Sequence, residues 1–181
     1  EAQTKIPQVR DLYAGSLTWH MIGHIQSRKA RDISGLFDVV HSLDSVKIAG
    51  RLSRSAAQQQ ATCEALIQVN VSGEDSKGGL WAYNWQKDTG VFERLIEDTN
   101  TIMGLPGLRV VGLMTMAPFL RDSEAVRPVF AGTFALREAL CTRLNVSLPH
   151  LSMGMTDDYP IAIEEGATMV RIGRAIFGER Q

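Results

Sequence analysis

Near the C-terminus, "LSMGMTDDYPIAIEEGATMVRIGRAIFGER" (151–180) gathers the residue types that hold a phosphorylated small molecule. Two turns of small residues, "SMGM" and "RIGR", each close a short apolar run. Gly154 and Gly173 let the backbone approach an anion, and the Ser152 hydroxyl adds a donor. A short helix over "AIFGER" would turn its unpaired N–H groups toward the same place. The competing reading is that these glycines only make turns, and the residues alone leave both open. Arg171 stands inside the second apolar run. Period-two alternation in "MVRIG" puts Val170 and Ile172 on one face and Met169, Arg171 and Gly173 on the other. A guanidinium turned inward must be paired, and it can only donate. Its acceptor is then a carboxylate such as Glu164 or Glu165, or else a ring nitrogen or anion of a ligand.

Other chemistry-bearing residues give weaker signals. His20 and His24 in "HMIGH" have the spacing of a zinc-binding helix without its glutamate, and the flanking residues read as a strand entering a turn. "VNVSGEDSKGG" lacks the GK[ST] phosphate loop, so Lys77 reads as a solvated loop lysine. Cys63 and Cys141 lie far apart with no CxxC pattern and read as free thiols of a reducing cytoplasm.

The elements that must position these residues alternate. Strand-sized apolar runs occur at 17–23, 38–43, 65–71, 108–114, 150–153 and 168–173. Between them, 45–60 has helical spacing with Asp44 as N-cap, and 91–103 puts Phe92, Leu95, Ile96, Thr99 and Met103 on one face. The segment 123–144 is helical with Pro128 kinking or delaying it, and 159–167 is helical with Thr156 as N-cap and Gly166 as stop. Strand alternating with helix implies parallel strands and right-handed crossovers. No GxGxxG or GxxxxGK[ST] turn follows an early strand, which favours a (β/α) barrel over an open doubly wound sheet. In a barrel the two glycine turns would occupy the seventh and eighth strand ends, where phosphate sites commonly lie.

Length and composition agree with one soluble domain, expected to span 1–181. The 44% hydrophobic and 22% charged content is ordinary, and a net charge of −1 without a basic run gives no reason to expect nucleic acid. No apolar stretch is long enough for a transmembrane helix.

In this order, "WHMIGHIQSRKA", "VHSLDSVKIA", "VNVSGEDSKGGL", "GLMTMAP" and the closing stretch resemble the pyridoxal 5′-phosphate homeostasis protein family. That family is a single-domain relative of the alanine racemase N-terminal barrel, and the likeness covers essentially the whole chain. It implies an α/β (β/α)8 TIM-barrel and a cytoplasmic, non-catalytic pyridoxal 5′-phosphate binder that balances vitamin B6 and amino-acid pools. The expected partner is the cofactor alone, with neither nucleic acid nor membrane, in a monomer or weak homodimer. By position, Ser152, Gly154, Gly173 and Arg174 would form the phosphate cup. Arg171 would face the pyridine nitrogen, and Asn70 and Met153 would line the ring. The alternatives are a fold-related racemase or decarboxylase, or a barrel binding another phosphorylated ligand. Two departures stand out. Many relatives carry Ser or Thr where this chain has Arg174. The family's Schiff-base lysine lies in an "AVSK"-like first strand, and none of Lys5, Lys29, Lys47, Lys77 or Lys87 has that context. The expectation is therefore an N-terminally truncated barrel lacking its first strand, first helix and second strand, about 50 residues at ordinary unit lengths. Its cofactor binding would be weak or non-covalent.

Overall fold

The computed structural model describes residues 2–13, 15–119 and 123–178. Helix α1 (Ala2–Leu12) precedes β1 (His20–Met21), α2 (Ala30–Ile33), β2 (Val39–Leu43), α3 (Val46–Gln58) and β3 (Cys63–Asn70). Then come β4 (Leu80–Trp81), α4 (Thr89–Met103) and β5 (Leu108–Met114). A 3-10 turn (Ser123–Val126) leads into α5 (Arg127–Leu144), followed by β6 (His150–Ser152), α6 (Tyr159–Glu164) and α7 (Arg174–Phe177). Among the described residues the strands form one sheet in the order β1-β2-β3-β5-β6, with β4 paired to the end of β3. Every pairing is parallel. This is the βα succession of a (β/α) barrel wall.

Strand periodicity sorts the side chains into two layers. Val40, Ala65, Ile67, Val110, Leu113 and Leu151 join the large core against the helices, with Leu52, Leu95, Phe130, Leu136 and Leu140 on the helix side. Val39, Leu66, Val111 and Met114 form a second, small cluster on the opposite face. The same alternation sets Ser152 between two residues of the helix-side core, Leu151 and Met153. Both faces of the sheet are therefore covered, which is why β2 is buried at every position.

Several local expectations shift. Ser45, not Asp44, caps α3: its Oγ accepts from the Ile48 amide at 3.4 Å, while Asp44 faces His24 at 3.2 Å. Asp158 rather than Thr156 is the N-cap residue of α6. Pro128 delays its helix, falling in the first turn of α5 where its missing N–H is tolerated. Gly166 does follow the end of α6, at φ +90°. The run 168–173 does not become a strand; it makes a single bridge, Met169 to Ser152. Gly154, at φ +92°, bends the chain just past β6, and beyond Met169 the pairing is reduced to the Arg171 amide donating to the Gly154 carbonyl at 3.0 Å.

Candidate functional site

Arg171 reaches from the 168–173 segment to the C-terminal ends of β5 and β6. One terminal nitrogen donates to the Ser152 carbonyl at 2.8 Å and to Ser152 Oγ at 2.9 Å; the other donates to the Thr115 carbonyl at 2.9 Å. Burial pulls its pKa down to about 10, with Asp158 acting in the opposite direction, so the group is still a cation at neutral pH. Glu164 and Glu165 are not its partners. They accept from Arg127 at 2.7 and 2.8 Å, an exposed clamp that also takes in Glu124 and ties α5 to α6. Among the described residues no carboxylate accepts from Arg171. Only three of the donor directions of this guanidinium are used, and the residue lines a cavity.

Behind Arg171 runs a chain of polar side chains. Ser152 Oγ lies 2.8 Å from His41 Nδ1, and His41 Nε2 lies 2.8 Å from His20 Nδ1. His41 extends from the same face of β2 as Val39, which period two requires. Burial lowers the pKa of His41 to about 4, helped by the charges of His20, Arg171 and His150. His20 is lowered too, first by burial, with Asp38 opposing. Both imidazoles are thus neutral at neutral pH.

The cavity measures about 1190 Å³ and lies between the end of β1 and the 169–178 segment. Ile22, Met155, Met169, Val170, Ile172 and Phe177 supply apolar wall; His20, His41, Arg171 and Arg174 supply polar groups. At its lower end α7 begins. A Cβ placed on Gly173 meets nothing within 4 Å, so its backbone is open to the cavity. Among the described residues the amides of Gly173 and Arg174 donate to no protein acceptor, while the next amide, of Ala175, meets Thr156 Oγ1 at 3.4 Å. The Arg174 guanidinium is held by Asp157 across the rim. A smaller cavity, about 320 Å³, continues past Gly173, Arg174 and Met155 toward Lys77 and Phe119.

The structure thus brings Arg171, Gly173 and Arg174 to one cavity and separates the rest. Ser152 is fully buried and engaged by Arg171 and His41, so it belongs to the arginine's support rather than to an open anion cup. Gly154 lacks room for a side chain because α6 presses on it: a Cβ would sit 2.6 Å from that of Ala162. Met153 points into the helix-side core, not toward a ring, as its place after Ser152 dictates. Asn70 is likewise turned away from the cavity. Its amide donates to the carbonyls of Glu74 and Lys77, and its oxygen accepts from Ser72 Oγ and the Gly73 amide, so it organises the loop after β3. Sequence reasoning gave His20 only a weak metal-ligand reading and Thr156 only a capping role, and assigned no part in ligand binding to His41 or Thr115, polar residues at the ends of apolar runs. The one available signal was "HMIGH" and "DVVHSL", histidines at the ends of successive apolar runs. His20 and His24 do not converge, and among the described residues no cluster of His, Cys, Asp or Glu is placed to hold a metal.

The family model described as alanine racemase, N-terminal domain, matches residues 6–181. Among curated proteins, the pyridoxal phosphate homeostasis protein of Aquifex aeolicus is 42% identical over 98% of this chain and 72% of its own length. The chain belongs to the pyridoxal phosphate homeostasis protein family. The member from Pseudomonas aeruginosa is 43% identical over 99% of this chain and 71% of its own. PipY of Synechococcus elongatus, solved without PLP, superposes with a TM-score of 0.82 at 32% identity, covering 98% of this chain and 79% of that one. The same protein has also been solved with PLP bound, with a TM-score of 0.82 at 31% identity. Membership assigns the parallel βα sheet to the alanine racemase N-terminal type of TIM barrel. No helix among the described residues is long and apolar enough to cross a membrane.

Proposed function

We propose that this chain binds pyridoxal 5′-phosphate and works in intracellular vitamin B6 and amino-acid homeostasis without catalysing a reaction. The observation that carries this reading is Arg171: a half-buried cation, without a carboxylate partner among the described residues, at the wall of a mostly apolar cavity. The residues present fit the cofactor. The open backbone of Gly173, the amides of Gly173 and Arg174 and the Arg174 side chain suit its dianionic end. The apolar walls suit a flat aromatic ring, and Arg171 suits the ring nitrogen. When bound, pyridoxal phosphate supplies an electron-withdrawing ring whose strength depends on protonation of that nitrogen. A permanently protonated arginine donates a hydrogen bond there but no proton, which favours holding the cofactor over transforming an amino acid.

The racemase alternative calls for a tyrosine at the reacting face. Tyr83 packs edge-on against Trp81, and neither it, Tyr13 nor Tyr159 lines the larger cavity. No lysine lines that cavity either. We place the chain in the cytoplasm, as a single domain over 1–181 and a monomer or weak homodimer, with no nucleic-acid partner. Titration with pyridoxal phosphate, followed by absorbance, is expected to show saturable binding. Arg171→Met should weaken it about tenfold or more, the range for a hydrogen bond to a charged group. After borohydride treatment, mass spectrometry should find no pyridoxyl adduct on this chain; an adduct on one lysine would overturn the non-covalent reading.

A further inference from the structure

The polar chain behind Arg171 admits one arrangement of hydrogens. Arginine only donates, so Ser152 Oγ is an acceptor at 2.9 Å. Ser152 is fully buried, and its own proton needs an acceptor. Among the described residues that acceptor is His41 Nδ1, at 2.8 Å. His41, neutral, then carries its proton on Nε2 and donates to His20 Nδ1 at 2.8 Å. His20 carries its proton on Nε2, on an imidazole that lines the same cavity as Arg171. The reverse order would leave the Ser152 oxygen between two donors and its proton without a partner.

We infer that His41, acting through Ser152, is the positioning residue that holds Arg171 toward the ligand, and that this chain presents His20 Nε2–H as a second donor to it. The ligand side of this inference rests on the pyridoxal phosphate reading; the order of hydrogens does not. Without His41, the Ser152 proton would seek another acceptor and the Arg171 fork would lose one of the three oxygens that set its plane. Among the described residues the donors expected at the phosphate end, the amides of Gly173 and Arg174 and the Arg174 guanidinium that Asp157 holds, make no hydrogen bond to Ser152, His41 or His20. The two ends of the site can therefore be separated by experiment.

The test has two arms on the chain as it exists. Long-range 1H–15N spectra of the ligand-free protein should show His41 and His20 both neutral at pH 7 and both protonated on Nε2. A proton on His41 Nδ1 would overturn the inference whatever the ligand. In the second arm, affinities for pyridoxal phosphate and for inorganic phosphate are compared in the wild type, His41→Leu and His41→Gln. His41→Leu should weaken pyridoxal phosphate about tenfold and leave inorganic phosphate within twofold. His41→Gln, whose amide can accept from Ser152 and donate to His20, should recover most of the loss. Equal weakening of both ligands by both variants, or no change in pyridoxal phosphate affinity with His41→Leu, would sink the positioning role. Failure of the wild type to bind pyridoxal phosphate would overturn the cofactor reading instead, and the spectra would still decide the order of hydrogens.

Discussion

Arg174 is the residue whose character departs most from a plain phosphate turn. Its guanidinium is engaged by Asp157 at the rim, both side chains being about half exposed. An exposed pair of this kind contributes little to stability, about 0.2–1 kcal/mol. It competes directly with an incoming anion for the arginine. Asp157→Asn is therefore expected to raise affinity for inorganic phosphate severalfold at low salt, with the gain shrinking as salt screens it. Its thermal midpoint should stay within a few degrees of the wild type. An unchanged or weakened phosphate affinity would show that Arg174 takes no part in anion binding. The alternation read in "MVRIG" fails as a rule, because 168–173 forms no strand and Val170 and Ile172 line the same cavity as Arg171. Only the need of an inward guanidinium for acceptors was legible there. The identity of those partners was not. His41 approaches Ser152 from 111 positions earlier in the chain, and nothing local signals that meeting.

At the level of elements, the alternation of apolar runs and helical segments was readable because each run has the length and composition of a two-sided buried strand. The exception, 168–173, fails for a reason set by its neighbour: β6 stops at Ser152 and the chain bends at Gly154. The short β4 escaped notice because only Leu80 and Trp81 pair, held by their register with Val69 and Asn70. Gly112 shows a further constraint hidden from the sequence. It lies in mid-β5 opposite His150, and an added Cβ would come 2.0 Å from the His150 carbonyl oxygen, well inside contact distance. Because the obstacle is backbone, the two strands would have to separate. Gly112→Ala should cost about 3 kcal/mol or more, read by urea unfolding, and should loosen amide protection in β6 before that of β3. A cost below about 1 kcal/mol would mean that β5 and β6 move apart freely.

The molecule as a whole carries an acid liability in His41. Its pKa of about 4 in the folded chain lies below the ordinary 6.5, so the unfolded chain binds the extra proton first. Stability is then flat above pH 6.5, falls as the pH drops from 6.5 toward 4, and loses nothing more from this group below that. Chemical unfolding from pH 4 to 8 measures the slope, and His41→Gln should flatten it. A profile equally steep in that variant would place the acid sensitivity elsewhere. The barrel type and the family were legible end to end, since both reside in the order of motifs. The division of labour within the site was not, because buried polar partners are set by packing. One arrangement also joins site and architecture. The 168–173 segment lacks a regular strand ladder: backbone hydrogen bonds to Leu151, Met153 and Gly154 hold it to the end of β6, and three more from the Arg171 side chain carry the attachment across to the end of β5. A single side chain thus answers to two masters, cohesion and recognition. Substitutions there cannot retune ligand preference independently of the wall, so specificity in this chain is freer to drift at Ile22, Met155 and Phe177.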